Sequence, residues 1–472
     1  MLKNETPGTV LFISPQEWYT LPRLVKEIDL FCKSNYEPLI ISTRLTYVPQ
    51  ERVKNRLSFI PQNKLHWVTP IDKLREKAKV YNVRFFVTPI EIIKESSLFL
   101  KFFFIGFYFF SVMSYILFMF VLTLIICITK KVRLIQAHNP PDLTCLIAML
   151  VSKITGIPYV LDIQDITPEL FGEKMGSLNS IYFSLLWKLE YLVISGSVRT
   201  VFIGKAMRDY VLSKVYPLTP SRCLVIHSTN RKNFLDMFKY DVDELAQLKR
   251  AHDLEGKFII LFLGWLDRIK GVDTLVHSVK YLVKTRKLRN LKVILVGDGE
   301  VRKDLTALVK NLNLDEYVLM LGFLPKAEAY KWLRLADVAV VPFKRVPAYE
   351  IAAPEKLFEY MAAGKAIIAS DLPGLREVLR DGYHGVFFKA EDPVDLAEKI
   401  GDLMNKMSQS DLERLGRNAK KDFEDIYSWE NEEAKLLEMY RGLLDHFYYS
   451  SLKPRVGKDI QLASSMNLTC RR

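Results

Sequence analysis

Residues 258–299 read FIILFLGWLDRIKGVDTLVHSVKYLVKTRKLRNLKVILVGDG, and this stretch decides the fold. Two apolar runs, Phe258–Leu263 and Leu291–Val296, are typical of buried strands, and each ends in a glycine. The segment between the two runs has the period of an amphipathic helix. A strand, a helix and a second strand in this order predict a parallel pair joined by a crossover helix.

The same alternation of strand and helix patterns continues along the rest of the chain. Strands are predicted at residues 10–14, 39–42, 83–87, 134–137, 159–162, 200–203 and 223–226, and then at 258–263, 291–296, 318–321, 338–341, 366–369 and 385–388. Strands that alternate with helices form parallel sheets covered on both faces. The chain is therefore predicted to be an α/β protein with two Rossmann-like parallel-sheet domains that face a cleft.

The domain boundary is placed in a polar, charged stretch at residues 231–257. The length of 472 residues already exceeds what one core usually supports. We expect an N-terminal domain at residues 1–235, a C-terminal domain at 236–426, a helix at 427–448 and a polar, disordered tail at 449–472.

The excess of basic residues indicates which kind of molecule the protein binds. The chain has 67 basic and 54 acidic residues and a net charge of +13, which favours an anionic partner such as nucleic acid, a membrane surface or a phosphorylated substrate. The sequence has no zinc-finger spacing and no RNP-like aromatic motif, so we expect no nucleic-acid partner.

The five cysteines are widely spaced, which is typical of reduced thiols in a cytosolic protein without a structural metal. The apolar run at residues 10–13 is too short for a signal peptide.

Glycines at the predicted strand ends mark the expected ligand-binding rim, because ligands of such sheets bind outside the carboxyl ends of the strands. They include Gly264, Gly297 and Gly299. No GxGxxG follows a strand and no GxxxxGK with a following Ser or Thr occurs, which argues against a dinucleotide oxidoreductase and a P-loop ATPase.

Residues 354–370, PEKLFEYMAAGKAIIAS, are the most informative stretch for chemistry. Pro354 suits the first turn of a helix and Gly364 suits its left-handed end. The start of a helix attracts a diphosphate. Lys356 and Glu359 share a helix face, so one can meet phosphate while the other accepts hydrogen bonds from ribose hydroxyls. The alternative is a solvated Lys–Glu pair on a helix surface.

A second stretch, GWLDRIKG at residues 264–271, follows a strand and places Lys270 before the next helix. With these two stretches, the second half resembles glycosyltransferase family 4, a retaining family with the GT-B fold. Members carry a GRLxxxxKG loop and an E-x7-E motif that ends as EAMAxG, which match residues 264–271 and 359–364 here. The resemblance covers nearly the whole chain and is firmest at residues 259–426.

The resemblance implies a retaining transferase that uses a nucleotide-sugar, with no cofactor and no required metal. The residues implied or favoured in the site are Gly264, Arg268, Lys270, Gly297, Gly299, Pro354, Lys356 and Glu359 for donor binding, with Lys270, Glu359 and His138 as catalytic candidates. The helix at 427–448 is implied to cross back to the first domain.

This chain departs from the family pattern at two positions. Trp265 replaces the arginine of GRL, and Arg268 is the candidate substitute. Ile351 stands where the first Glu of E-x7-E would fall, with Glu350 one residue out of register and Glu355 at the turn into the helix. The chain instead matches a variant subgroup of bacterial and archaeal polysaccharide transferases, which reads P-x-K-(L/F)-x-E-Y-(M/L)-A-x-G.

Residues 137–142 and 161–169 resemble the acceptor-side loops of the family. His138 follows a predicted strand, where relatives place a histidine that touches the donor sugar or the acceptor. A structural loop histidine is the equally weighted alternative. Asp241-Val-Asp243 has the DxD spacing of a metal motif, but it opens a charged helix and is expected to cap it.

An apolar segment without any charged residue occupies residues 102–128, within a membrane-associating segment at 98–129. Its length would span a bilayer. However, the strands on both sides of it must join one sheet, so a single crossing is excluded. We expect a membrane-dipping helix or hairpin on one face, or alternatively an unusually apolar buried helix.

Together these features predict transfer of a sugar from a UDP- or GDP-sugar to a lipid-linked or polysaccharide acceptor. The site of action is expected to be the cytoplasmic face of an anionic membrane. A nucleotide-sugar epimerase of the same fold and a non-catalytic membrane-bound scaffold are the alternatives.

Overall fold

The computed structural model of the protein describes residues 8–14, 22–34, 36–46, 78–86, 98–140, 142–170, 181–214, 218–238 and 240–452. These residues form two α/β domains, each built on one parallel sheet. The predicted fold class is therefore confirmed.

The first domain contains a seven-stranded sheet. Its strands are β1 (Thr9–Ser14), β2 (Glu37–Thr46), β3 (Lys79–Phe86), β4 (Val132–Asn139), β5 (Tyr159–Ile163), β6 (Arg199–Phe202) and β7 (Cys223–Val225). They lie in the order β3-β2-β1-β4-β5-β6-β7, and every neighbouring pair is parallel. Its helices are α1 (Pro22–Lys33), α2 (Leu98–Thr129), α3 (Asp142–Thr155), α4 (Ile181–Gly196) and α5 (Lys205–Ser213).

The second domain contains a six-stranded parallel sheet. Its strands are β8 (Phe258–Leu263), β9 (Leu291–Val296), β10 (Val318–Gly322), β11 (Val338–Val341), β12 (Ala366–Ser370) and β13 (Gly385–Phe388), in the order β10-β9-β8-β11-β12-β13. Its helices are α6 (Val242–Ala251), α7 (Val272–Lys284), α8 (Arg302–Asn311), α9 (Lys326–Leu335), α10 (Pro347–Glu350), α11 (Glu355–Ala362), α12 (Pro373–Arg376), α13 (Pro393–Lys406) and α14 (Gln409–Asp422).

Each predicted strand is present in one of the two sheets, and the bounds of β8, β9, β11 and β13 agree with the prediction. The continuous apolar runs arise because both faces of the second sheet are buried. Along β8, Ile259 and Leu261 pack in the core on one face, whereas Ile260 and Phe262 pack in the core on the other. The strand therefore needs apolar side chains at every position.

The apolar segment forms one continuous helix, α2, of 32 residues, and is not a hairpin. It connects β3 with β4, which lie in the same sheet with β2 and β1 between them. Among the described residues, the stretch Val112–Thr129 is long enough and apolar enough to cross a membrane. Its mean hydropathy is 2.6, and 22% of it is buried. The buried-helix alternative is therefore wrong for this stretch.

The C-terminal helix α15 (Trp429–Leu452) returns to the first domain. Trp429, Leu436 and Tyr440 are fully buried in a core cluster with Val10 and Phe12 of β1. The helix extends beyond the predicted end at residue 448, and the tail that follows residue 452 lies outside the described residues.

Two smaller expectations can be compared with the structure. The Asp241 carboxylate accepts a hydrogen bond from the backbone N–H of Asp243 and caps α6, as predicted for the DxD sequence. Cys32, Cys127, Cys145 and Cys223 form no disulfide bond within the described residues, and Cys470 lies outside them.

Candidate functional site

A cavity of about 340 Å³ opens at the carboxyl ends of β8, β9 and β10, next to the start of α11. Cavities of this size accommodate small organic ligands. The residues that line it are Leu263, Gly264, Trp265, Val296, Gly297, Asp298, Phe323, Leu324, Lys326, Ala329, Tyr330, Glu355, Lys356 and Glu359. The strand-end rim predicted from the glycines is therefore where the cavity lies.

Two glycines bring the rim loops into close contact. Gly264 and Gly297 have φ angles of 137° and 151°, which disfavour other residues. A Cβ at Gly297 would lie 1.8 Å from the carbonyl oxygen of Gly264, and a Cβ at Gly264 would lie 2.5 Å from the Nζ of Lys356. Gly299 does not line the cavity, but a Cβ there would lie 2.0 Å from the carbonyl oxygen of Leu266. These glycines therefore hold the loops close to each other and to Lys356.

Lys356 extends from α11 into the cavity wall beneath Gly264. Its Nζ is buried, lies 4.0 Å from the ring centroid of Phe262, and makes no hydrogen bond within the described part of the chain. Burial, followed by repulsion from Lys270, lowers the pKa of Lys356 well below its ordinary value. A buried amine without a hydrogen-bond acceptor is suited to receive an anionic ligand.

Glu359 lies one turn further along α11 and also faces the cavity. Its Oε1 accepts a 2.7 Å hydrogen bond from the hydroxyl of Tyr330 and lies 3.5 Å from the Nζ of Lys326. The side chain is nearly buried. The Lys–Glu pair is consequently part of the cavity and not a solvated surface pair.

The loop after β8 holds Lys270 close to the cavity without placing it in the lining. Asp267 accepts hydrogen bonds from the backbone N–H groups of Ile269 and Lys270, and its carboxylate lies 3.1 Å from the Nζ of Lys270. Arg268 is exposed and does not line the cavity, whereas Trp265 does and is 42% exposed. The structure therefore places an aromatic ring, and not a cation, at the position of the family arginine.

Pro354 lies one position before the place predicted for it. It is the N-cap residue of α11, which begins at Glu355 and has eight residues, shorter than the predicted three turns. Gly364 ends the helix with φ of 65°, as predicted. Pro354 itself does not line the cavity; the two residues after it do.

His138 is not brought to the cavity, and it lies within β4 and not in a loop. Its side chain is fully buried. Its Nε2 lies 3.4 Å from Glu27 and 3.2 Å from Gln136, and its Nδ1 lies 3.2 Å from Asp162. Burial disfavours the imidazolium, but the two carboxylates outweigh this effect, so the pKa of His138 is raised. Its role in catalysis stays a prediction.

Glu27, His138 and Asp162 offer possible metal-ligand atoms within 4.8 Å of one another. The Nε of Arg23, however, lies 3.2 Å from Glu27 and 3.0 Å from Asp162. The guanidinium already supplies a positive charge to these carboxylates. The group is therefore best described as a buried ion network that joins α1 to the ends of β4 and β5.

Several residues that line the cavity were not predicted from the sequence, notably Tyr330, Phe323 and Lys326. Phe323 follows Gly322 at the end of β10 as Trp265 follows Gly264 at the end of β8. This repeated glycine–aromatic pair at strand ends was a usable signal. Tyr330 and Lys326 lie on α9 and offered no comparable pattern.

Comparison with known proteins identifies similar sequences and folds. The profile of the family described as glycosyl transferases group 1 matches residues 246–422. An uncharacterised glycosyltransferase of Methanocaldococcus jannaschii is 25% identical over 316 residues, which cover 66% of this chain and 75% of that protein. A lipopolysaccharide 1,2-N-acetylglucosaminetransferase of Salmonella typhimurium is 26% identical over 200 residues, covering 40% of this chain and 50% of that protein.

Among solved structures, the Anabaena protein HepE in complex with UDP has a similar fold. The TM-score is 0.63 at 14% identity, and the match covers 92% of this chain and 100% of that chain.

Proposed function

We propose that this chain is a group 1 glycosyltransferase with the GT-B fold. It transfers a sugar with retention from a UDP- or GDP-sugar to a lipid-linked or polysaccharide acceptor. The acceptor is used at the cytoplasmic face of the membrane. The observation that carries the proposal is the cavity beside α11, where a buried amine without a hydrogen-bond acceptor faces the ends of three strands.

The cavity chemistry supports a nucleoside diphosphate as the leaving group. Lys356 supplies a cation for the diphosphate, and the closely packed glycine loops allow the ligand to approach the backbone. Glu359 supplies a carboxylate that can accept hydrogen bonds from ribose hydroxyls. Trp265 and Phe323, both partly exposed, provide aromatic surface for a base.

In the proposed reaction, the bond between the sugar C1 and the diphosphate oxygen breaks while the acceptor oxygen bonds to C1 from the same face. The diphosphate leaves with the bonding electrons, and its departing oxygen takes the proton that the acceptor hydroxyl loses. Lys356 and the nearby Lys270 stabilise the negative charge on the departing diphosphate. Since these cations are supplied by the protein, the proposal requires no metal ion.

The exposed face of α2 supports an acceptor at a membrane. Phe110, Leu117 and Ile128 are 69%, 64% and 68% exposed, in a helix that contains no charged residue between 102 and 129. The Salmonella relative is named for transfer to lipopolysaccharide, a lipid-containing acceptor. An anionic bilayer also agrees with the net charge of +13.

The test is to incubate the purified protein with UDP-, GDP- and dTDP-sugars and extracted membrane lipid. We expect a glycosylated lipid or glycan, equal activity with and without EDTA, and loss of transfer in folded Lys270→Ala and Glu359→Ala. Loss of a charge contact to the leaving diphosphate should raise the barrier by about 2–4 kcal/mol.

Other outcomes would contradict the proposal. An isomerised free nucleotide-sugar as the product would indicate an epimerase, and no turnover of any donor would indicate a scaffold. Wild-type turnover in either variant would contradict the site assignment. Activity that is abolished by EDTA and restored by manganese would contradict metal independence.

A further inference from the structure

Ile351 cannot contribute to the cavity, because its side chain packs elsewhere. It is 6% exposed and belongs to the apolar core of the first domain, together with Leu161 and Ile163 of β5. Its neighbour Glu350 points to Arg345, with 2.7 Å between their charged atoms. Neither residue supplies a carboxylate to the cavity lining.

Glu355, at the start of α11, does line the cavity. Its Oε1 is shielded from solvent and receives no hydrogen bond from any residue in the described ranges. A shielded carboxylate oxygen that lacks a donor is costly unless a ligand supplies one.

The nearest cation to Glu355 comes from the other domain. Lys26 of α1 is buried, and its Nζ lies 3.9 Å from the Oε1 of Glu355, beyond hydrogen-bond distance. The same Nζ donates to the carbonyl oxygen of Thr229 and, at 3.2 Å, to the Oδ1 of Asn230. Glu355 therefore marks the place where the cavity of the second domain meets the first domain.

Glu355 and Lys356 carry opposite charges and therefore favour different parts of a ligand. A phosphate is attracted by Lys356 and repelled by Glu355, whereas the hydroxyl groups of a neutral sugar ring can donate to a carboxylate. A nucleotide-sugar with its diphosphate at Lys356 would have its sugar directed toward Glu355 and the first domain, where the acceptor must approach.

We propose that Glu355, which lies near Lys26 at the junction of the domains, accepts hydrogen bonds from hydroxyl groups of the transferred sugar and determines which donor sugar is used. This proposal rests on the proposed function. According to this proposal, the carboxylate that contacts the donor sugar comes from Glu355, four residues beyond Ile351. Glu355 lies on the first turn of α11, at the junction of the domains.

The test compares binding of nucleotide-sugars with binding of the matching free nucleoside diphosphates by calorimetry. The probes are UDP with UDP-glucose, UDP-galactose and UDP-N-acetylglucosamine, and GDP with GDP-mannose. In Glu355→Gln, affinity for the preferred nucleotide-sugar should fall about tenfold or more, because a charged acceptor is lost. Affinity for the free diphosphate should stay the same or rise slightly. Glu350→Gln, which alters a carboxylate outside the cavity lining, is the matched control and should change neither.

Three results would overturn the proposal. Glu355→Gln could leave the nucleotide-sugar affinity unchanged, or it could weaken both ligands equally. A further variant, Glu355→Asp, should change the ranking of the sugars, and an unchanged ranking also counts against the proposal. If the wild-type protein binds neither the free diphosphates nor the nucleotide-sugars, it is the proposed function that fails.

Discussion

At the scale of single residues, Lys356 and Lys270 differ in the partners of their amino groups. Lys270 is paired with Asp267 at 3.1 Å, whereas the Nζ of Lys356 is buried and makes no hydrogen bond within the described residues. Burial first, and then Lys270, lowers the pKa of Lys356 well below its ordinary value. A diphosphate next to this amine would favour its charged form and raise that pKa.

We predict that binding of the preferred nucleoside diphosphate is accompanied by proton uptake in the pH range between the lowered pKa of Lys356 in the free protein and its raised pKa in the complex. Calorimetry in buffers of different ionisation enthalpy should show a binding heat that depends on the buffer. Lys356→Arg should reduce this dependence, because a guanidinium stays protonated. Uptake that is equal in the wild type and in Lys356→Arg would come from the nucleotide, and it would contradict the role given to Lys356.

At the scale of secondary-structure elements, α2 shows how one helix can have two environments. Met119, Thr123 and Ile126 are buried, whereas Leu117 and Ile125 on the opposite side are 64% and 51% exposed. The buried side fastens the helix to the domain. Helix α3 packs against α2, and α4 packs against α3; these two helices also carry exposed apolar side chains, Ile154 and Leu185.

The charges beside this apolar face suit an anionic bilayer. Lys130 and Lys131 follow α2, Lys153 lies near the end of α3 and Lys188 lies on α4, and all four are exposed. A lysine near an anionic surface contributes about 1 kcal/mol. A second copy of the chain on the same face would instead bring lysines toward lysines.

We predict that the protein binds vesicles containing anionic lipid through this face and does not cross them. Phe110→Ser with Leu117→Ser should weaken binding about tenfold or more in a sedimentation assay, because two large apolar side chains are lost. Val242→Ser with Val394→Ser, which alters exposed valines on the second domain, is the control and should have no effect.

The topology can be measured with the same protein in cells. Cysteines placed in the segments that flank α2 should both be labelled from the cytoplasmic side, because β3 and β4 belong to one sheet. Labels on opposite sides would contradict the orientation of α2 and the first-domain fold together. Phe103 and Phe107 are also expected to face lipid, but the structure does not describe their side chains.

At the scale of the whole molecule, the two domains meet at His227. Its Nδ1 lies 2.9 Å from Glu432 of α15, and its Nε2 lies 3.3 Å from Glu377, which follows α12. Glu377 also accepts a hydrogen bond from the backbone N–H of Ala206 in α5. Burial disfavours the imidazolium, but the hydrogen bonds to the two carboxylates outweigh it, so the pKa of His227 is raised above 6.5.

A raised histidine pKa stabilises the folded form below the unfolded pKa, and this stabilisation is lost as pH rises through the folded pKa. We therefore predict that the free energy of unfolding falls as the pH rises from the unfolded histidine pKa of about 6.5 through the raised folded pKa of His227, and falls by a larger amount in the wild type than in His227→Gln. Urea unfolding at several pH values measures the difference. His277→Gln, at an exposed position on α7, should keep the wild-type slope. An identical slope in His227→Gln would contradict the role of His227.

The sequence alone determined the positions of the strands along the chain, the cavity rim and the helix that bears Lys356 and Glu359. These features depend on local patterns: apolar runs define buried strands, glycines permit unusual backbone angles, and residues three apart share a helix face. The unbroken apolar length of α2 could be predicted for the same reason.

Only the tertiary structure decided which side chains meet. Tyr330 donates to Glu359 across 29 positions of the chain, and Lys26 approaches Glu355 from another domain. His138 is buried because β4 extends past it and Glu27 of α1 packs against it. Such contacts follow from how helices pack on sheets, so no local periodicity records them, and the partners of a charged residue remain open until the chain is folded.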